Sequence, residues 1–124
     1  DHQHQLLAQY LPALPGGIAH CFTGDAVQMK SYLALGLYIG VTGWLCDERR
    51  GSSLRDAVQQ LPLERLILET DAPYLYPKTL KPRRRNNTPA NLPHIGQALA
   101  TLVKQELEII EQASYTNSLT LFNL

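Results

Sequence analysis

The sequence predicts an α/β domain organised on a short parallel sheet. Three apolar runs, residues 17–22, 37–42 and 66–70, are bounded by turn residues and alternate with segments of helical periodicity. Strands separated by helices of about ten residues pair in parallel through right-handed crossovers. The third run closes with Ile67-Leu68-Glu69-Thr70-Asp71-Ala72-Pro73, where two carboxylates leave an apolar strand and a proline stops it. In parallel α/β folds the chemistry sits on the loops after the strand C-termini, so this tip is the stretch to which the other elements are referred.

Length and composition set the outer limits. The chain has 124 residues, 44% of them hydrophobic and 18% charged, which is ordinary globular composition. A chain of this size that folded alone would bury roughly two-thirds of its unfolded surface. Eleven basic and eleven acidic residues cancel, so only a local charge cluster can argue for a nucleic-acid or membrane partner. Two cysteines, Cys21 and Cys46, form no disulfide framework and no CxxC pair. They are expected to be small, partly buried thiols of a reducing compartment. No apolar stretch approaches 18 residues, and no cationic start precedes one. The expectation is a soluble, cytoplasmic protein.

Residues 4–11 predict a short helix with Leu7, Tyr10 and Leu11 at helical spacing, ended by Pro12, Pro15, Gly16 and Gly17. After the strand 17–22, Thr23-Gly24-Asp25 offers a cap for a helix over 26–35, with Val27, Tyr32 and Leu35 among its apolar positions and Gly36 as its left-handed stop. The strand 37–42 leads through Gly43-Trp44-Leu45-Cys46 into a charged loop, Asp47 to Gly51. Ser52 and Ser53 are candidate caps for a helix over 54–60. Beyond the strand 66–70, residues 72–91 carry prolines and no periodicity; a loop of that length in a compact domain is usually functional. Residues 92–104 predict a helix with Ile95, Leu99 and Leu102 on one face. Residues 106–122 predict another, with a break near Ser114.

The strand ends are His20-Cys21-Phe22-Thr23-Gly24, Gly43-Trp44 and Glu69-Thr70-Asp71. They bring one histidine and two carboxylates to one face, which is ligand chemistry for a hard or borderline divalent metal. Taken singly, His20 reads as a satisfied core residue and the carboxylates as a solvated turn; their convergence favours a site. Glu69 and Asp71 share strand parity, so both are expected on the interior face. Two such carboxylates repel unless a cation or shared proton neutralises them. A metal would do so, and Asp71 could then hold or deprotonate its water. His2 and His4 look like a ligand pair but open a helix, where positions two apart diverge, and they read as solvated. His94, beside Pro93 at a helix start, reads as a cap or surface residue.

Lys78, Lys81, Arg83, Arg84 and Arg85 fall within eight residues with no acid among them. They form either a solvated loop or a phosphate-contacting one, and their departure from Asp71 favours the latter. Trp44 either stacks on a base or covers the mouth of the sheet; both readings stay open.

Together these residues resemble the TatD family of metal-dependent deoxyribonucleases. The matching motifs are His20-Cys21-Phe22-Thr23-Gly24, Tyr38-Ile39-Gly40-Val41-Thr42-Gly43-Trp44, Cys46-Asp47-Glu48-Arg49-Arg50-Gly51 and Glu69-Thr70-Asp71-Ala72-Pro73-Tyr74-Leu75. Arg85, Asn87-x-Pro89, Thr116-Asn117 and Leu121-Phe122 follow in order. The resemblance covers nearly the whole chain. It implies the C-terminal half of a TIM-like (β/α)₈ barrel, residues 1–124 forming a single partial domain with three parallel strands. It implies hydrolysis of DNA phosphodiesters, as a 3′–5′ exonuclease in the intact enzyme, with single-stranded DNA or 3′ ends as partner. The implied cofactor is a divalent metal, Mg²⁺ first, Mn²⁺ or Zn²⁺ next. His20 matches the metal-binding histidine after the sixth strand. Asp71 matches the aspartate after the eighth, as metal ligand or water activator. Glu69 matches the glutamate of the same motif, in a catalytic role. Trp44, Arg85 and Asn87 are implied at the substrate.

The family's His-x-His, its bridging glutamate and its fifth-strand histidine have no counterpart here, and such a barrel needs about 250 residues. Asp1 would be the last residue of the fifth-strand motif. The chain alone is therefore expected to hold an incomplete ligand set and to be inactive. Its open sheet edges predict self-association. The competing reading is a non-catalytic partial barrel that self-associates or binds DNA through its basic loop.

Overall fold

A computed structural model describes residues 2–124; Asp1, with its expected place in the fifth-strand motif, lies outside the described residues. The sheet has three parallel strands in the order β1 (Ile18–Ala19), β2 (Tyr38–Val41) and β3 (Leu66–Leu68). Ile18 pairs with Tyr38, and Ile39 with Leu66. The strands are shorter than the apolar runs because the backbone turns away once it reaches the site. Cys21 and Asp71, one or more residues past their strands, both adopt left-handed φ, +48° and +58°. Such backbone is uncommon for non-glycine residues and concentrates at functional loops.

Helices α1 (His2–Tyr10), α2 (Ala26–Ala34), α3 (Ser52–Val58), α4 (Leu92–Val103) and α5 (Leu107–Phe122) complete the chain. Asp25 caps α2 as its sequence predicts. Its carboxylate accepts from the Gln28 backbone N–H, and the Gln28 side chain accepts from the Asp25 N–H in return. Gly36 follows with φ +80°, the left-handed stop. The inward residue of α2 is Met29, however, while Val27 is 77% exposed; one apolar residue does not fix the phase of so short a helix. Ser52 and Ser53 do not cap α3 but lie within it. Its start is tied down by the Arg55 guanidinium, which donates to the carbonyls of Leu45, Asp47 and Glu48.

Helices α2 to α5 pack in succession, and α2 and α5 close on β2 and β3. Ile39, Val41, Leu54, Val58, Leu66, Ile95, Leu99 and Ile110 fill the space between them. Each is worth about 1.5–3 kcal/mol of transfer free energy when fully buried. Helix α1 buries no residue, and Leu6, Tyr10 and Leu14 stay exposed beside it.

The expected break at Ser114 is absent: α5 is continuous, and Ser114 serves the sheet instead. Backbone N–H groups of a parallel strand alternate in direction, and Glu69 donates to Val41 of β2. Leu68 N–H therefore points away from β2, and it donates to Ser114 Oγ at 2.8 Å. The Asn117 amide donates to the carbonyls of Leu63 and Leu66 at 2.8 and 2.7 Å. These two buried side chains occupy the outer edge of β3, so that edge is not left bare as the strand count predicts. Strand β1 pairs on one side only. Among the described residues, no helix is long and apolar enough to cross a membrane.

Candidate functional site

His20, Glu69 and Asp71 meet at the C-terminal end of the sheet. His20 Nδ1 lies 2.5 Å from Glu69 Oε1, and its Nε2 lies 3.5 Å from Asp71 Oδ1. The other oxygen of Glu69 accepts from the Cys21 backbone N–H at 2.8 Å. Glu69 is thus consumed on both oxygens, while the His20 ring stays more than half exposed. Strand parity does not bring the carboxylates together, because β3 ends at Leu68. The left-handed turn at Asp71 swings the second carboxylate back toward the ring.

The electrostatics follow. The hydrogen bond and charge of Glu69, with a smaller contribution from Asp71, raise the His20 pKa above its ordinary value against a modest burial penalty. Burial pushes the neighbouring Cys21 thiol up, and the Cys46 thiol likewise. Both cysteines are free, and Cys21 Sγ lies 3.6 Å from Thr42 Oγ1.

The donor set fits one side of a divalent cation. With Nδ1–H given to Glu69, the His20 lone pair is at Nε2, which faces solvent beside Asp71. This is the usual second-sphere arrangement of a ligating histidine, a carboxylate behind the ring fixing its tautomer. One imidazole and one carboxylate do not enclose an ion, and among the described residues no group of three or more His, Cys, Asp or Glu is placed to hold one.

Around this centre the loops after β2 and β3 are fastened to one another. Asp47 is buried; its Oδ1 accepts from the backbone of Arg49 and Arg50, and its Oδ2 pairs with Lys78 at 2.9 Å. Lys78 first, then these backbone donors, hold its pKa down to about 2. Lys78 is therefore committed to Asp47 and separated in role from Arg83, Arg84 and Arg85, which are exposed. Thr79 Oγ1 lies 2.8 Å from His94 Nε2, so His94 ties α4 to the loop.

The three expected substrate contacts part ways. Arg85 lines a cavity of about 580 Å³ between the loops. Trp44 lines it too, but its ring packs on the core and carries the Arg50 guanidinium at 5.6 Å. Asn87 is buried: its amide donates to the carbonyls of Thr70, Tyr74 and Leu75, and its oxygen accepts from Thr88 N–H and the Asn91 amide. It shapes the Asp71 loop and has no group left for a substrate. His2 and His4 lie in α1, His2 exposed and His4 half-buried. Tyr74, 73% exposed at the rim of the cavity, belongs to the Glu69–Leu75 motif but has no role assigned from sequence. Its signal was position alone, three residues beyond Asp71.

Comparison with known proteins bears on the family and the fold. The model of the family described as TatD related DNase matches residues 2–123. The 3′-5′ ssDNA/RNA exonuclease TatD of Edwardsiella piscicida is 48% identical over 121 residues, 96% of this chain and 46% of that protein. Its namesake from Klebsiella pneumoniae (strain 342) is 49% identical over the same shares. Among solved structures, YjjV, a TatD homologue from Escherichia coli K12, superposes with a TM-score of 0.82 at 33% identity. That match covers 98% of this chain and 47% of that one. A TatD family hydrolase from Entamoeba histolytica gives 0.79 at 27%, over 94% and 46%. The chain spans about half the length of the curated relatives it matches.

Proposed function

The chain belongs to the TatD related DNase family, and from that premise we propose that it forms one wall of the active site of a divalent-metal-dependent nuclease. Its fold is the C-terminal half of a TIM-like α/β barrel. The observation that carries the reading is the held imidazole: Glu69 takes Nδ1 of His20 and leaves Nε2 open beside Asp71.

In this reading His20 Nε2 and the Asp71 carboxylate are the two donors this chain gives to the cation, and Glu69 is a positioning residue. When bound, a divalent cation, Mg²⁺ first and Mn²⁺ or Zn²⁺ next, supplies Lewis-acid polarisation of a phosphodiester and lowers the pKa of water. The Asp71 carboxylate oxygen left free of the cation would accept the proton that an attacking water gives up as its oxygen bonds to phosphorus and the bond from phosphorus to the leaving oxygen breaks. Glu69 keeps the imidazole in one tautomer and one orientation while that happens. The relatives' names favour a single-stranded DNA or RNA substrate attacked from its 3′ end.

By itself the 124-residue chain acts as a single partial domain and is inactive, since two donors leave the site open. Of its sheet edges, that of β1 is the one left to recruit a further strand, and self-association there would be structural. Two free thiols suit a reducing cytoplasm.

The test is Asp71→Ala in a complete barrel carrying this segment. Release of nucleotides from single-stranded DNA in Mg²⁺ or Mn²⁺ should fall to background. Undiminished release would overturn the assignment.

A further inference from the structure

We propose that Asn87 is a positioning residue for the nuclease site: its buried side-chain amide holds the backbone turn that aims the Asp71 carboxylate at the cation. The inference rests on the nuclease reading for what Asp71 does, and on separate hydrogen bonds for how Asp71 is held.

The chain turns sharply after β3, and it does so at left-handed residues that are not glycine. Asp71 has φ +58° and Leu75 has φ +54°. Such backbone is unfavourable for a residue with a Cβ and persists where its surroundings fix it. The angle φ sets a side chain against the peptide plane ahead of it, so that plane is what has to be held. The Asn87 amide holds it at both residues. It donates to the Thr70 carbonyl, just ahead of Asp71, at 2.9 Å, and to the Tyr74 carbonyl, just ahead of Leu75, at 2.8 Å. The Leu75 carbonyl, at 3.3 Å, shares one of its protons. The Asn87 backbone N–H adds a bond to the Pro73 carbonyl at 2.8 Å. One buried residue therefore gathers the carbonyls along the whole turn.

The amide can present its nitrogen in one orientation. Thr88 N–H, a donor of fixed polarity, reaches Asn87 Oδ1 at 2.9 Å, and the Asn91 amide reaches the same oxygen at 2.8 Å. The nitrogen is thus left to the carbonyls. Asn91 stands at the start of α4, whose Ile95 and Leu99 are in the core, so the turn is referred to a fixed helix. Asp71 needs such a reference. Its carboxylate is 35% exposed, and its approach to His20 Nε2 at 3.5 Å lies at the outer limit of a hydrogen bond. The backbone decides where that carboxylate points, and a site needs its groups held to within about 0.5 Å.

The experiment reads Asp71 first without metal. Backbone carbon NMR shifts of this chain report the φ region of Asp71. Asn87→Ala should move it out of the left-handed region; Asn91→Ala should not, because Thr88 N–H still fixes the amide. In a complete barrel carrying this segment, Asn87→Ala should lower Mn²⁺ affinity, measured by electron paramagnetic resonance, about 10- to 100-fold. The Mn²⁺ concentration for half-maximal activity should rise by the same factor, with KM for single-stranded DNA at saturating Mn²⁺ unchanged. Asn87→Asp keeps the volume and the bonds from Thr88 and Asn91 but turns a carboxylate oxygen toward the carbonyls. It should behave as Asn87→Ala does, and it stands in if the smaller residue fails to fold. A left-handed Asp71 in the Asn87 variants overturns the positioning role. Unchanged Mn²⁺ affinity does so too, as does an Asn91→Ala effect as large as that of Asn87→Ala. Asp71→Ala in the same barrel separates the two claims. Full activity there removes the nuclease reading; background activity there, with Asn87 variants like wild type, removes the positioning role alone.

Discussion

The carboxylate of Glu69 lies over the Cα of Gly40, in the space where any other residue would carry its Cβ. Gly40 is in the middle of β2, where glycine has no conformational merit and weakens a strand. Its merit is steric, because it lets Glu69 reach His20 and the Cys21 N–H at once. Gly40→Ala should therefore act at a distance, pushing Glu69 off the ring. Metal-dependent activity of the complete barrel is expected to fall about 10- to 100-fold, as when the partner of a ligating histidine is lost. Steady-state rates at saturating metal check it, with circular dichroism to show that the fold persists.

Glu69→Gln isolates the electrostatic part. Glu69 is the main cause of the raised His20 pKa, so the substitution should bring the His20 titration back down toward its ordinary value. Proton NMR of the metal-free chain reads this directly. The sign for stability follows. A raised pKa contributes stability that is fully present below the unfolded value of about 6.5 and is lost as pH rises through the folded value. Wild type should accordingly lose more stability than Glu69→Gln as pH rises through that range.

Asp47 behaves in the opposite sense. Its folded pKa, about 2, lies below the unfolded value of about 3.9. Its contribution is present above about pH 4 and disappears as pH falls toward 2. Urea midpoints measured at pH 6, 4 and 2.5 should drop more steeply for wild type than for Asp47→Asn. Hydrogen exchange at residues 78–86 should quicken in that variant, because Lys78 loses its anchor.

Much of this was legible in sequence because it depends on local pattern. Periodicity and turn residues located all three strands, and Asp25 and Gly36 marked both ends of α2. The strand-end rule found His20, Glu69 and Asp71. What escaped depends on tertiary geometry. Two carboxylates near a histidine do not reveal which is spent behind the ring and which faces outward; that was decided by the turn at Asp71 and the bare Cα at Gly40. Lys78 and Arg83 belong to one charge run, yet Lys78 is neutralised by Asp47, far earlier in the chain. Asn87 is implied at the substrate by the family resemblance of its motif. Its burial was invisible until the loop closed over it. Ser114 looked like a helix break because serine competes with helical backbone bonds, whereas its partner is a strand N–H 46 residues away.

The role of α5 at the sheet edge can be tested by removing it. Asn117→Ala leaves the Leu66 carbonyl without its side-chain donor, while Leu63 keeps the Leu66 N–H, and an unsatisfied buried group costs about 1–3 kcal/mol. A urea midpoint lowered to match is expected. Adding Ser114→Ala frees Leu68 N–H as well, and light scattering should then report a larger particle as the bared edge pairs with another chain. A double variant that unfolds normally and keeps the wild-type mass would dismiss the edge role.

The Asp47–Lys78 pair has a last consequence. It bridges the segments that follow two different strands, so the width between them is set by a bond to a buried carboxylate of the protein and not by whatever enters. A ligand meets a gap already at its working dimension and spends little on ordering it. Weakening that brace should lengthen the search for a productive pose more than it alters any single contact, and it should appear first as a slower association rate.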